Sequence, residues 1–301
     1  MDFSIASPHK SKLWYDYRLY VNLIEALESL GHRYRKNADN RIYFLAAPRR
    51  HVYPDVGKFD SEANNLALAY CHFEKMKTYN EFNKIFIPSE FVKDSILKQR
   101  KANARWFKKN TFLDDKNKLE IIRPFSSLKP TEKIIGEYEC DLSFIGSPRI
   151  RPIVEDVIHI VNKHNLSFHI YGPHWHEYKG NPLASSYVKA NEIPYENIPL
   201  LSTACKISLV DHHQPMNDIG SVSHKYVDLV SSGAFVISDE NKDSAKHYNG
   251  VTYKSRDELE ELILFYLENE DKRRAQIALQ QEIVRENSTL TAAKKISQYF
   301  I

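Results

Sequence analysis

The sequence predicts an α/β protein made of two βα-alternating halves with parallel sheets, on three observations. Short apolar runs alternate with stretches of helical period, the βαβ signature of a parallel sheet. The pattern starts afresh after Lys129-Pro130. In the second half, apolar runs end in glycine or in a charged residue, as strand ends that face a ligand do.

The elements follow in order. Residues 3–5 (FSI) are a short apolar run. Within 13–30 the apolar residues Tyr20, Leu23, Ile24, Leu27 and Leu30 recur at helical spacing, and Gly31 follows as a helix-ending residue. An apolar run at 42–47 (IYFLAA), a helix-compatible stretch at 61–70 and IFIPS at 85–89 complete the first half. After the restart, 141–146 (DLSFIG) reads as a strand, 151–164 as a helix and 166–172 (LSFHIYG) as a second strand. KISLVD at 206–211 is a third strand, Lys225 to Ser232 a helix, and AFVISD at 234–239 a fourth strand. Asp257 to Phe300 is a long amphipathic stretch, broken near Asn287-Ser288. The expected domains are 1–135 and 136–288, with 289–301 as a helix crossing back to the first. Open α/β sheets bind ligands outside the carboxyl ends of their strands, so the chemistry is expected in a cleft between the domains.

Composition narrows the class. Apolar residues make up 42% and charged residues 27% of 301 residues, the balance of a soluble globular protein with a substantial core. Cys71, Cys140 and Cys205 are scattered and odd in number, which reads as buried thiols in a reducing compartment. The start, MDFSIASPHK, has no apolar segment of signal-peptide length, and no apolar run nears the roughly 18 residues of a membrane span. A cytoplasmic protein is expected, with peripheral contact at the inner face of a membrane. That contact rests on Lys93–Lys109, where seven Lys or Arg stand against the single Asp94 although net charge is only +3. An anionic membrane or acceptor is one reading of this run, and a solvated helix face is the other. Nucleic acid is the weaker third, because the chain as a whole is nearly neutral.

Three strand ends carry suggestive residues. Gly146-Ser147-Pro148-Arg149 would let backbone N–H groups approach a ligand while Arg149 reaches a diphosphate; a plain structural turn is the competing reading. Tyr171-Gly172-Pro173 offers a similar close approach. The richest is Asp211-His212-His213, followed by Gly220-Ser221-Val222-Ser223-His224-Lys225 and Asp228. Small residues before a helix start suit a phosphate, Lys225 adds a charge, and Asp228 one turn later can accept from ribose hydroxyls. An ordinary helix capped by Ser223, with a surface Lys–Asp pair, fits the same spacing.

At these residues the sequence resembles a known group. SVSHKYVDLVSSGAFVISD (221–239) is similar to the "T-x-R-x-F-E-x-x-A-x-G-a-f-v-l-s-D" segment of GT-B glycosyltransferases of the spore-maturation-protein-like (CgeB-like) group. FIGSPRIRP and HIYGPHW resemble that group's "f-v-G-s-x-x-x-R" and "i-y-G-x-x-W" strand ends, and residues 191–211 its "v-p-y-x-e-l-p" stretch. The likeness is strong over 141–290 and fainter before, where LWYDYRLYVNLIEALESLGH and AYCHFEKM match.

The resemblance implies a GT-B-like fold, two facing Rossmann-like domains, and transfer of a sugar from a nucleotide-sugar donor to a glycan or lipid-linked acceptor. By position, Lys225 contacts the donor diphosphate and Asp228 the ribose. Gly146, Arg149, Tyr171, Gly172, His213, Ser221, Ser223 and His224 complete the expected donor set. Retaining relatives carry an acid at the position of Gly220, so retention and inversion both stay open. For inversion the first candidate base is Asp16, followed by His72 and Glu74. No Asp-x-Asp occurs, so no metal is expected, and no cofactor, the nucleotide-sugar being a substrate. The rivals are a sugar-nucleotide epimerase on the same fold and a non-enzymatic module binding nucleic acid or lipid.

Overall fold

Parallel strands dominate both halves of the computed structural model, which describes residues 1–6, 15–44, 55–70, 81–103 and 115–301. The chain divides into two units, Met1–Ser127 with Asn287–Ile301, and Leu128–Glu286.

In the first unit, β1 (Asp2–Ala6) leads to α1 (Tyr15–Ser29), β2 (Arg33–Tyr34), β3 (Asn40–Phe44), β4 (Asn64–Leu68), β5 (Lys84–Ile87), α2 (Glu90–Asn103) and β6 (Leu119–Ile121). The strands pair in parallel in the order β2-β1-β3-β4-β5-β6. Helix α1 ends as its sequence indicates. Gly31 takes a left-handed φ of 85°, its N–H reaches Glu28 O and the N–H of His32 reaches Leu27 O, a Schellman close that a side chain with Cβ would strain.

Residues 61–70 differ from expectation, since Asn64–Leu68 is a strand rather than a helix. All five of its residues are buried between β3 and β5. A strand covered on both faces has no period of two, so Leu66, Ala67 and Leu68 look as helical as extended until the neighbouring strands are known. In α2, Val92 is fully buried and Ile96 is 6% exposed. These two side chains belong to the interior of the first unit, so they offer no apolar surface beside the basic residues of the helix.

The second unit runs β7 (Cys140–Ile145), α3 (Pro152–His164), β8 (Phe168–Tyr171), β9 (Val188–Ala190), α4 (Ile198–Ala204), β10 (Cys205–Val210), α5 (Gln214–Ile219), α6 (His224–Ser231), β11 (Val236–Asp239), α7 (Lys242–Lys246), β12 (Val251–Tyr253), α8 (Arg256–Glu268) and α9 (Glu270–Val284). Its sheet is also parallel, in the order β12-β11-β10-β7-β8-β9. Helix α3 starts on Pro152 and ends on left-handed Asn165, and its Val157, Ile158 and Ile160 are at most 1% exposed. Each such side chain contributes about 1.5–3 kcal/mol on leaving water. The amphipathic stretch from 257 has a second break at Asn269, whose side chain donates to Phe265 O at 2.7 Å and separates α8 from α9.

After α9 the chain returns to the first unit as α10 (Thr289–Ser297). Ala292, Ala293, Ile296 and Phe300 enter the core formed by Phe3, Leu19, Leu23 and Leu27. The amide of Asn64 donates to Tyr299 O at 2.7 Å, and Asn40 exchanges hydrogen bonds with the backbone of Ile301. Among the described residues no helix is long and apolar enough to cross a membrane.

Candidate active site

In the second unit the chain proceeds outward from β7 through β8 to β9, then restarts at β10 on the other side of β7. The carboxyl ends of β7 and β10 therefore flank the point where strand order reverses, which is where open α/β sheets bind ligands. The first unit has its own reversal between β1 and β3, but the residues after both strand ends lie outside the described set.

The turn after β7 is held from behind. Gly146 donates to Tyr171 O at 2.9 Å, and its carbonyl accepts from the Trp175 indole N–H at 2.9 Å. A Cβ on Gly172 would stand 2.0 Å from Gly146 O. Glycine at 172 is thus required by the neighbouring backbone.

In front of this turn four charges converge. Arg151 Nη1 donates to both Asp211 carboxylate oxygens at 2.7 Å, and its Nε to Ser147 O at 3.0 Å. Lys225 Nζ donates to Ile145 O at 2.8 Å, sits 3.6 Å from Asp211 and lies 4.6 Å over the Phe144 ring. Arg149 approaches Asp211 at 3.8 Å and donates to His213 Nδ1. Three cations thus share one carboxylate. Burial works to raise the Asp211 carboxyl, but Lys225 and Arg151 outweigh it and hold it down at about 2. Burial pushes Lys225 down to about 8 and Arg149 to about 10, each further lowered by the neighbouring arginines and opposed by Asp211. His213 is lowered by burial and then by Arg149, which keeps its ring neutral and able to accept. A site with surplus positive charge, partly removed from water, favours an anion.

Behind the cations a polar network fixes the end of β10. His212 donates its backbone N–H, at 3.1 Å, to Asp239, whose carboxylate also pairs with the His212 ring Nδ1 at 2.6 Å. Asp239 accepts from Asn217 at 2.7 Å, and Asn241 donates to Asn217 at 2.8 Å and to Ser221 O at 3.0 Å. Both carboxylates at these strand ends are therefore engaged, Asp211 by Arg151 and Asp239 by His212 and Asn217.

The expected donor residues fall into distinct places. Gly146, Arg149, His213 and Lys225 come together. Ser223 caps α6, accepting from Tyr226 N at 3.3 Å, and Ser221 is 1% exposed behind it. His224 has its pKa lowered to about 3 by burial, so it is neutral. Asp228 accepts from the Tyr195 hydroxyl at 3.0 Å. Tyr171 lies apart from these: its side chain is 3% exposed and packs in the core with Tyr138, Leu201 and Val227. Alternation along β8 turns its ring into the helix layer and away from the strand end. Asp16 lies in α1, with its side chain outside the described residues; His72 and Glu74 lie wholly outside them. Sequence reasoning missed Arg151, although the spacing G-s-x-x-x-R from Gly146 ends on it. It singled out Asp211 as a strand-end residue without giving it a role, and it missed the pairing of Asp239 and the network behind both, for which no local signal exists.

Residues 150–297, just under half of the chain, match the family model described as "Glycosyl transferase-like". No curated protein matches. Among solved structures, T4 phage BGT in complex with UDP and Mn2+ is 14% identical, with a TM-score of 0.60 and 99% of each chain covered. Sucrose-phosphate synthase from Thermosynechococcus elongatus is 9% identical, with a TM-score of 0.61, covering 99% of this chain and 97% of that one. TarM is 14% identical at a TM-score of 0.56, covering 93% of this chain and 58% of its own.

Proposed function

We propose that this chain, a GT-B glycosyltransferase by its fold and family match, transfers a sugar from a nucleoside-diphosphate donor to a hydroxyl of a glycan or lipid-linked acceptor, with no metal on the diphosphate. The observation that carries the reading is the cluster Arg149, Arg151 and Lys225 around the single carboxylate of Asp211. As the glycosidic bond breaks, negative charge develops on the departing diphosphate. Preplaced cations in a partly dry site stabilise it without reorganising. Asp228, three residues after Lys225 on α6, takes the ribose hydroxyls, and the N–H groups at the start of α6 add donors.

The first unit supplies the acceptor side. Asp16 is the candidate base for an inverting reaction, with His72 and Glu74 behind it. The basic run at 93–109 meets an anionic acceptor or the cytoplasmic face of a membrane through charge, since Val92 and Ile96 are committed to the interior.

The T4 phage neighbour was solved with UDP and Mn2+. Independence of metal here is supported by the engagement of Asp211 and Asp239 with protein partners, which leaves the cations to hold the diphosphate. The test is transfer from a panel of nucleotide-sugars to glycan, lipid-linked and duplex-DNA acceptors, with and without EDTA. Transfer that survives chelation supports the reading. Loss on chelation, restored by magnesium or manganese, would refute metal independence. Epimerised donor formed without an acceptor would refute the transferase assignment.

A further inference from the structure

The turn after β8 carries a second constellation, on the surface of the second unit. His174, His176 and Glu177 place one ligand atom each within 4.8 Å of the others. His174 Nδ1 stands 3.8 Å from Glu177 Oε1, and His176 Nε2 stands 3.4 Å from the same oxygen. Zinc holds imidazole nitrogen and carboxylate oxygen at about 2.0–2.2 Å, so neighbouring ligands of a tetrahedral zinc lie about 3.4 Å apart. The two separations are those of such an edge and of one slightly opened.

The backbone accounts for the grouping. Trp175–Glu177 is a single 3-10 turn preceded by His174 at a left-handed φ of 62°. In a 3-10 turn residues three apart eclipse each other, which stacks His174 over Glu177. The turn is anchored at both ends: Trp175, 2% exposed, donates to Gly146 O at 2.9 Å, and the Tyr178 hydroxyl donates to Glu155 at 2.5 Å. The backbone under the ligands is already ordered, so binding has little backbone freedom to remove. The three side chains are 66%, 76% and 65% exposed, so an ion reaches them directly. As an ion pair in water the group contributes little.

We propose that His174, His176 and Glu177 form a three-ligand site for a late first-row divalent ion, zinc foremost, with solvent completing its coordination. Two imidazoles and a carboxylate suit zinc, cobalt or nickel. Magnesium and calcium prefer shells made of oxygen alone. The site is separate from the diphosphate cluster and needs neither donor nor acceptor, so its occupancy and the transferase reading are tested independently.

The experiment is calorimetric titration of the metal-free 301-residue chain with zinc chloride, repeated on His176→Ala, His174→Ala and Glu177→Gln. Cobalt absorption serves as a second readout of coordination by nitrogen. The wild type is expected to bind one zinc saturably. His176→Ala should lose it, and Glu177→Gln should weaken it by at least about tenfold, the cost of even an outer-sphere change at metal sites. Melting temperatures of the variants in EDTA should equal that of the wild type, because the side chains are exposed. Zinc bound equally well by all the variants, or not bound saturably by the wild type, would overturn the site.

Discussion

Replacing Asp211 with Asn tests the charge balance of the site most directly. The carboxylate is 7% exposed and faces Arg151 at 2.7 Å, Lys225 at 3.6 Å and Arg149 at 3.8 Å. Its pKa falls from 3.8 to about 2, which corresponds to about 2 kcal/mol favouring the charged form in the folded state. Breaking a buried ion pair from one side costs about 3–5 kcal/mol, because the stranded cations lose their partner as well. Asp211→Asn should therefore destabilise the protein by about 2–4 kcal/mol at pH 7, lowering the melting temperature by roughly 5–15 °C for a unit of this size. A carboxyl depressed on folding contributes stability above its unfolded pKa and loses it as pH falls through the folded one. The gap between wild type and variant should accordingly be full above pH 4 and shrink towards pH 2. Pyrophosphate or a nucleoside diphosphate should raise the variant's melting temperature more than the wild type's, since an anion supplies the missing charge. The assay is thermal unfolding across pH, with and without pyrophosphate. A folded variant that melts with the wild type at pH 7, and gains no more from pyrophosphate, would refute the reasoning.

Three further outcomes are expected. Lys225→Ala should weaken nucleoside diphosphate binding by about 1–3 kcal/mol. Because burial sets Lys225 at about 8, wild-type affinity should fall as pH rises through that value while Lys225→Arg stays level; unchanged calorimetric affinity in Lys225→Ala would contradict its role. Asp228→Asn should lose the wild type's preference for ribo- over deoxyribonucleotides, and equal preference in both proteins would leave Asp228 a structural role on α6. Reversing Lys98, Lys101 and Lys108 to Glu should raise the KM for an anionic acceptor and reduce co-sedimentation with anionic liposomes, most at low salt, with donor affinity unchanged; a triple variant matching wild type in both assays makes the run a solvated face.

What the sequence determined by itself is local. The period of Leu23, Leu27 and Leu30 with Gly31 behind it is enough to place α1 and its end, because helix geometry and a left-handed close depend on residues within one turn of each other. Apolar runs such as FIG and FVISD mark strands for the same reason, and the βα alternation makes the sheets parallel. The run from Ser221 to Asp239 also marked the stretch holding Lys225. Tertiary structure decided whatever depends on which strands become neighbours. Asn64–Leu68 is a strand only because β3 and β5 cover both its sides. Arg149 looked like the diphosphate arginine, yet the buried one is Arg151, 60 residues from the Asp211 that holds it. Tyr171 left the candidate site for the core by strand alternation, and His174 met Glu177 through a left-handed residue that no spacing rule marks. For Arg151 and Asp211 the deciding term is a charge brought close by the strand order β8-β7-β10-β11, and for Asn64–Leu68 it is the burial that comes with its place between β3 and β5. Coulomb and desolvation energies depend on distance through space, and distance along the chain does not encode it.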